Sequence, residues 1–301
     1  MPIRELFHFM QIVDDFDLAT QRYQDLLAPQ VYMAKSWSDF DKRWASLAVV
    51  GPDFVLEIME PSKDPGDGES PLPKFHRRHG QHLHSMAWFV DADDLAGLMD
   101  RMKAHDVRVI TPYNTGGEEG AARPITTFFT HPKDTFGQLE LQSFSGTGSN
   151  DSRFTPGWSG DFWRNEQPLG IEGTSHLTTI VSDLDRARSF YRDVMDAPVF
   201  HEEVGPDRRS AFVLVGTETV VELAQPTSDD SRLGQDLARH GELPHALTFK
   251  VSDLDAAERH VRSVDIGIAE RSDTTIVLEP ADICNAVIGF TDRRLPGDPR
   301  P

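Results

Sequence analysis

The chain has 301 residues, room for two average domains. Asp plus Glu number 49 against 30 Lys plus Arg, and the formal charge of −19 argues against a nucleic-acid backbone or an anionic membrane surface as partner, since both need clustered cations. With 38% hydrophobic and 26% charged residues the composition is that of a folded globular protein, and its single cysteine, Cys284, rules out an intrachain disulfide or a cysteine-based zinc site.

No apolar run approaches the roughly 20 residues that span a bilayer. Met1-Pro2-Ile3-Arg4-Glu5 lacks the basic-then-apolar pattern of a secretory signal, so a cytoplasmic location is expected. Cys284 has no activating base beside it in sequence and reads as a buried structural thiol.

The first element, from His8 to Asp17, is a short apolar strand running into a helix. Its Asp14-Asp15 can accept hydrogen bonds from free first-turn N–H groups, and Ala19, Tyr23, Leu26 and Leu27 form an apolar stripe. Trp44 to Val50 and Phe54 to Met59 follow as a hairpin around Gly51-Pro52-Asp53. The next strand and helix start at His84, with Leu95, Leu98, Met99 and Met102 at helical spacing, then β-like runs at Ile125 to Phe129 and Gln138 to Gln142. The basic stretch Lys74-Phe75-His76-Arg77-Arg78-His79 reads as a solvated loop, and Gly116-Gly117-Glu118-Glu119-Gly120 as a flap.

The third unit repeats the first at a constant offset: His8 matches His176, Asp15 matches Asp183 and Tyr23 matches Tyr191. Ala187, Phe190, Tyr191 and Val194 form its helical stripe, and Ser210 to Val215 and Thr219 to Leu223 its later strands. A fourth unit begins near residue 245 and ends with Thr274 to Leu278 and Ala286 to Phe290. The pattern is βαβββ four times. It implies an α+β fold of four βαβββ modules paired into two cup-shaped, mixed-sheet domains, residues 1–145 and 173–301, joined by a packed linker at 146–172 that carries Trp158, Phe162 and Trp163.

Residues of metal-ligand character recur at fixed places. His8, His84 and His176 each precede an Asp of the helix entry by the same interval, whereas His245 is one position out of step, which turns it from the common cavity. Glu57 and Glu222 each stand four residues before a proline, and Glu140 lies between Leu139 and Leu141. The fourth unit has Ile288-Gly289 there and no acid. A carboxylate between apolar strand neighbours is costly to bury unless its charge is compensated, and a divalent cation held by imidazole and carboxylate is one such compensation.

This pattern resembles the vicinal oxygen chelate superfamily, which includes glyoxalase I, methylmalonyl-CoA epimerase, bleomycin-resistance proteins and extradiol dioxygenases. The resemblance covers nearly the whole chain. It implies that the first cup holds one divalent ion (Fe, Mn, Co, Ni or Zn) on His8, Glu57, His84 and Glu140, while the second retains only His176 and Glu222. Leu83-His84-Ser85-Met86-Ala87-Trp88 and Phe129-Thr130-His131-Pro132-Lys133-Asp134 look most like the epimerase branch. A direct match to the His-His of epimerases puts Ser85 at the ligand place, but the helix register selects His84. Trp44 to Val50 carries no acid to match the separate catalytic Glu of epimerases.

The resemblance implies a metal-dependent isomerase, epimerase or lyase acting on a small substrate with vicinal oxygens through a stabilised enolate. Glu57 or Glu140 is then the base. Two alternatives stay open. One is an extradiol-type Fe(II) dioxygenase on His8, His84 and Glu140. The other is a non-catalytic small-molecule binder. Neither nucleic acid nor membrane is expected as partner, and a homodimer is compatible with the sequence.

Overall fold

The computed structural model describes residues 3–111, 125–144 and 150–300. The first repeat becomes β1 (Ile3–Ile12), α1 (Phe16–Leu27), β2 (Gln30–Ser38), β3 (Arg43–Val49) and β4 (Val55–Pro61). After α2 (Pro71–His79) the second is β5 (His82–Asp91), α3 (Leu95–Ala104), β6 (Val109–Ile110), β7 (Thr127–Thr130) and β8 (Gln138–Phe144). The third is β9 (Ile171–Ile180), α4 (Leu184–Asp193), β10 (Val199–Val204), β11 (Arg208–Val215) and β12 (Thr219–Pro226). Then α5 (Arg232–His240) precedes β13 (Pro244–Val251), α6 (Leu254–Ser263), β14 (Ile268–Arg271), β15 (Thr275–Leu278) and β16 (Val287–Thr291).

The strands form two eight-stranded mixed sheets, ordered β2-β3-β4-β1-β5-β8-β7-β6 and β10-β11-β12-β9-β13-β16-β15-β14. Within a module the first and last strands pair in parallel, β1 with β4 and β5 with β8, which requires a crossover of the kind the helix and intervening strands supply. Modules meet through the antiparallel pairs β1/β5 and β9/β13, so the fold is α+β, four βαβββ modules paired into two cups.

Three of the four module helices enter on a capping aspartate. Asp15 accepts from the N–H groups of Asp17 and Leu18, Asp183 from Arg186 N–H and Asp253 from Ala256 N–H. The second module departs from this. Asp94 is the cap residue of α3 and makes no side-chain cap bond, while Asp91 is the last residue of β5. The equal interval from His84 to Asp91 therefore does not measure the same thing as that from His8 to Asp15.

The strands hardest to see in sequence are exposed: β2 and β10 have no fully buried residue, so neither shows a clean alternation. The basic stretch from Lys74 to His79 is part of helix α2, not a loop. Pro71 pre-sets its first turn, and Leu72 and Pro73 anchor it by a short buried face.

One apolar cluster runs through both halves. Phe54 meets Phe249 edge-on at 5.5 Å, and Phe136 meets Phe190 at 5.9 Å. The connecting segment is packed against this body. Trp163 is buried and its indole N–H donates to Leu27 O at 3.1 Å, while Arg153 donates to Leu6 O at 2.7 Å and Asp53 O at 3.0 Å. Buried Gln11 donates to Cys284 O at 3.0 Å, tying β1 to the tail of the second half. The flap sequence Gly116 to Gly120 lies outside the described residues. Among the described residues no helix is long and apolar enough to cross a membrane.

Candidate functional site

His8 comes from the middle of β1, Glu57 from β4 beside it, and Glu140 from β8, which is separated from β1 by β5. Strand pairing puts Met10 beside Glu57, and His8 beside Ala87, which in turn pairs with Glu140. All three ligand candidates therefore project into one cup, and all are buried. His8 Nε2 lies 3.3 Å from Glu57 Oε2 and 3.4 Å from Glu140 Oε2.

The structure does not draw His84 into this group. The β1/β5 ladder shifts register between Met10 and Gln11, where Ser85 pairs with Met10 and Leu83 with Gln11, leaving His84 as the extra residue of a bulge. Its Nδ1 lies 2.7 Å from Ser85 Oγ and its ring stands edge-on to Phe75 of α2. Burial, with the charge of Arg43 next, holds His84 down at about 3, so it is a neutral ring. By symmetry of the β1/β5 pairing it is Ser85, not His84, that corresponds to His8, and Ser85 Oγ lies 2.8 Å from Met10 Sδ.

The same register resolves His245. It occupies a bulge of β13 between Pro244, paired with Thr179, and Ala246, paired with Thr178, as His84 does in β5. Rather than turning away, it lines a cavity of about 190 Å³ in the second cup, with Nδ1 2.9 Å from Asp236 Oδ2.

Two arginines absent from the sequence reading answer the problem of the buried carboxylates. Arg43, the first residue of β3, donates through Nη1 to Glu57 Oε1 and through Nε to Asp41 Oδ2 at 3.2 Å. Arg208, the first residue of β11, lies 3.3 Å from Glu222 Oε1. The positions are equivalent, because Arg43 pairs with Pro61 and Arg208 with Pro226. That shared place, at the head of the strand preceding each glutamate strand, was the available signal. Glu222 is satisfied further by Ser210 Oγ and Thr178 Oγ1, each at 2.6 Å. Burial alone would raise its pKa, but Arg208, His176 and the two hydroxyls hold it at about 2. Opposite it Gly289 takes the place of Glu140, pairing with Thr248 as Glu140 pairs with Ala87.

The first cup is less complete. Both ring nitrogens of His8 and Glu57 Oε2 are buried without a hydrogen-bond partner among the described residues. Two donors each about 2.1 Å from one ion at a tetrahedral angle stand about 3.4 Å apart, the separation His8 Nε2 keeps from both carboxylates. The donor set and its unpartnered atoms thus fit a divalent cation. Among the described residues, however, no group of three or more His, Cys, Asp or Glu side chains is arranged to hold a metal ion as it stands. In the second cup the carboxylate oxygens are taken by Arg208, Ser210 and Thr178, and the fit fails.

Known proteins match both halves. Two family models, both described as Glyoxalase/Bleomycin resistance protein/Dioxygenase superfamily, match residues 7–126 and 173–285. Mitochondrial methylmalonyl-CoA epimerase of Bos taurus is 28% identical over 123 residues, 38% of this chain and 70% of its own. Among solved structures, a mutant of 4-hydroxymandelate synthase from Streptomyces coelicolor superimposes with a TM-score of 0.67 at 14% identity, covering 96% of this chain and 92% of that one. The 2,2',3-trihydroxybiphenyl 1,2-dioxygenase of Sphingomonas wittichii strain RW1 gives a TM-score of 0.58 at 16% identity, covering 99% and 93%. At those identities the likeness speaks for the fold.

Proposed function

The chain belongs to the Glyoxalase/Bleomycin resistance protein/Dioxygenase superfamily, and from that membership we propose that its first cup is the active site of a divalent-metal-dependent isomerase, epimerase or lyase. The substrate is a small molecule with two adjacent oxygens. The observation that supports this reading is the buried His8, its ring nitrogens without a hydrogen-bond partner among the described residues, facing Glu57 Oε2 and Glu140 Oε2.

A cation held by His8, Glu57 and Glu140 would supply Lewis acidity to the adjacent oxygens and so acidify the C–H beside them. The two carboxylates differ in freedom. Arg43 ties Glu57 down, which makes Glu57 the fixed donor. Glu140 carries no such guanidinium among the described residues, so it is the carboxylate free to take and return the proton. Met10, Met59, Ala87, Leu72 and Phe75 cluster on the inner side of the cup and exclude water from the reacting carbon.

The donor set also bears on the dioxygenase alternative. That chemistry uses two imidazoles and one carboxylate on an open Fe(II) face. Here the converging side chains are one imidazole and two carboxylates, His8 with Glu57 and Glu140, while the β5 bulge sets the His84 ring against Phe75 of α2. The arrangement favours proton transfer over oxygen activation.

The test is proton exchange from carbon in deuterated water, followed by NMR over a panel of small 2-substituted carbonyl acids and thioesters. Glu140→Gln is expected to slow exchange by about 10²–10⁴-fold with the fold retained. Exchange at the wild-type rate in that variant would refute the assignment. Full exchange in protein stripped of metal by chelator would refute the role of the cation.

A further inference from the structure

The second cup is not a collapsed copy of the first. It keeps a cavity of about 190 Å³ beside His176 and Glu222, and two exchanges in its wall make the room. Gly289 stands where the first cup has Glu140, and Val277 pairs with Gly289 where Phe129 pairs with Glu140. Both replacements are smaller, and one removes a charge. A third exchange adds a hydroxyl, because Thr248 pairs with Gly289 where Ala87 pairs with Glu140. Thr248 is 8% exposed, and a Cβ built on Gly289 would lie 3.1 Å from its Oγ1, so the hydroxyl faces the space the glycine leaves. It has no hydrogen-bond partner among the described residues.

We propose that the second cup is a binding site in its own right, for an uncharged molecule of about six to nine non-hydrogen atoms that carries hydroxyl groups on an apolar frame. The size follows from the cavity, since one of about 150 Å³ holds a benzene ring. The absence of charge follows from the lining. Arg208 lies 3.3 Å from Glu222 and Arg293 lies 2.7 Å from Glu203, so these groups answer one another. Asp207 adds to the field on Arg208, and Arg232 and Glu270, of opposite sign, are exposed. With three arginines and four acids around the cavity, neither a carboxylate nor an ammonium meets enough opposite charge to replace its hydration.

Hydroxyls on the ligand match side chains that bond in either sense. Glu222 is already satisfied by Ser210, Thr178 and Arg208, which leaves Thr248 and the two imidazoles to meet the ligand. Thr248 Oγ1 can both donate and accept. Burial keeps His176 a neutral ring. Its Nδ1 lies 3.1 Å from Ser175 Oγ, while its Nε2 stands 3.6 Å from Glu222 Oε2, too far for a hydrogen bond. His245 is 7% exposed with Nδ1 2.9 Å from Asp236 Oδ2, which favours the hydrogen there and leaves Nε2 to accept. A hydroxyl group, donor and acceptor at once, suits this set. Phe212, Leu233, Val277 and Val287 also line the cavity and suit the apolar frame.

The probe is cyclohexane-1,3-diol, titrated into the full chain and followed by ligand-observed NMR, with cyclohexanecarboxylate and cyclohexylammonium as charged counterparts on the same frame. The diol is expected to bind with a dissociation constant on the order of millimolar, and each charged molecule about tenfold or more weaker. Thr248→Val keeps the shape, removes the hydroxyl and should weaken the diol about fivefold or more. Gly289→Leu fills the space and should abolish binding. Circular dichroism and the urea midpoint establish that each variant is folded. Glu57→Gln/Glu140→Gln, confined to the first cup, should leave the diol affinity unchanged, so failure of the proposed catalytic centre does not touch this result. No binding to the wild type, equal affinity for the diol and either charged molecule, or full affinity in Thr248→Val would overturn the proposal.

Discussion

Replacing Arg208 by methionine tests whether an arginine is what makes a buried glutamate tolerable in the second cup. Glu222 is almost wholly buried, its side chain 2% exposed, and its carboxyl is held at about 2 instead of 4.5. At about 1.4 kcal/mol per pH unit, this difference contributes about 3 kcal/mol to stability at pH 7. Because the folded value lies below the unfolded one, the contribution is complete above about pH 4.5 and disappears as pH falls through about 2. Arg208→Met leaves the carboxylate with two hydroxyls and a neutral His176, and removing one partner of a buried pair costs about 3–5 kcal/mol. In a chain of this size that is a fall in Tm on the order of 10 °C. Adding Glu222→Gln to Arg208→Met should restore about 2 kcal/mol or more, since no charge is then left unpaired. Urea denaturation of wild type, both single variants and the double variant at pH 7 measures the cycle. Repeating wild type and Glu222→Gln down to pH 3 measures the acid limb. An unchanged urea midpoint for Arg208→Met, or an acid limb equally steep in Glu222→Gln, would refute the reasoning.

Other consequences are simpler to read. Trp163→Ala removes a buried indole that pins the connecting segment to Leu27 O, and should cost about 3–5 kcal/mol in the same denaturation assay; a loss below about 1 kcal/mol would show that the segment is not structural. Gly216 has φ +64°, and a Cβ there would sit 1.9 Å from Arg4 O, so Gly216→Ala should destabilise by more than about 1 kcal/mol, against the small gain such a change brings at an unstrained site. Cys284 is 6% exposed and burial raises its thiol pKa, so a disulfide reagent should label it only after denaturant is added; stoichiometric labelling of the native protein at neutral pH would contradict this.

The repeats, and with them the two-cup α+β architecture, were legible because each module needs the same local chemistry. A strand start, an Asp cap and an apolar stripe recur at Asp15, Asp183 and Asp253, where helix entry depends on nearby residues alone. Three of the four ligand candidates, His8, Glu57 and Glu140, project into one cup because strand alternation is also local. The fourth, His84, lies apart from them for a reason spacing cannot reveal. One bulge in the β1/β5 ladder and a later helix cap at Asp94 shift the count, so an equal interval to Asp91 marked a different place. The same limit hid His245 in the wall of the second cup.

What decided the fate of the carboxylates lay beyond any local pattern. Arg43 and Arg208 reach Glu57 and Glu222 from the neighbouring strand, and His79 meets His240 although more than half the chain separates them. Sequence alone determined which residues alternate, which cap and which repeat, since those follow from dihedral preference and periodicity over a few residues. Only the folded chain decided which charges meet, because a Coulomb or metal–ligand contact depends on distances that strand order, bulges and the packing of one half on the other create together.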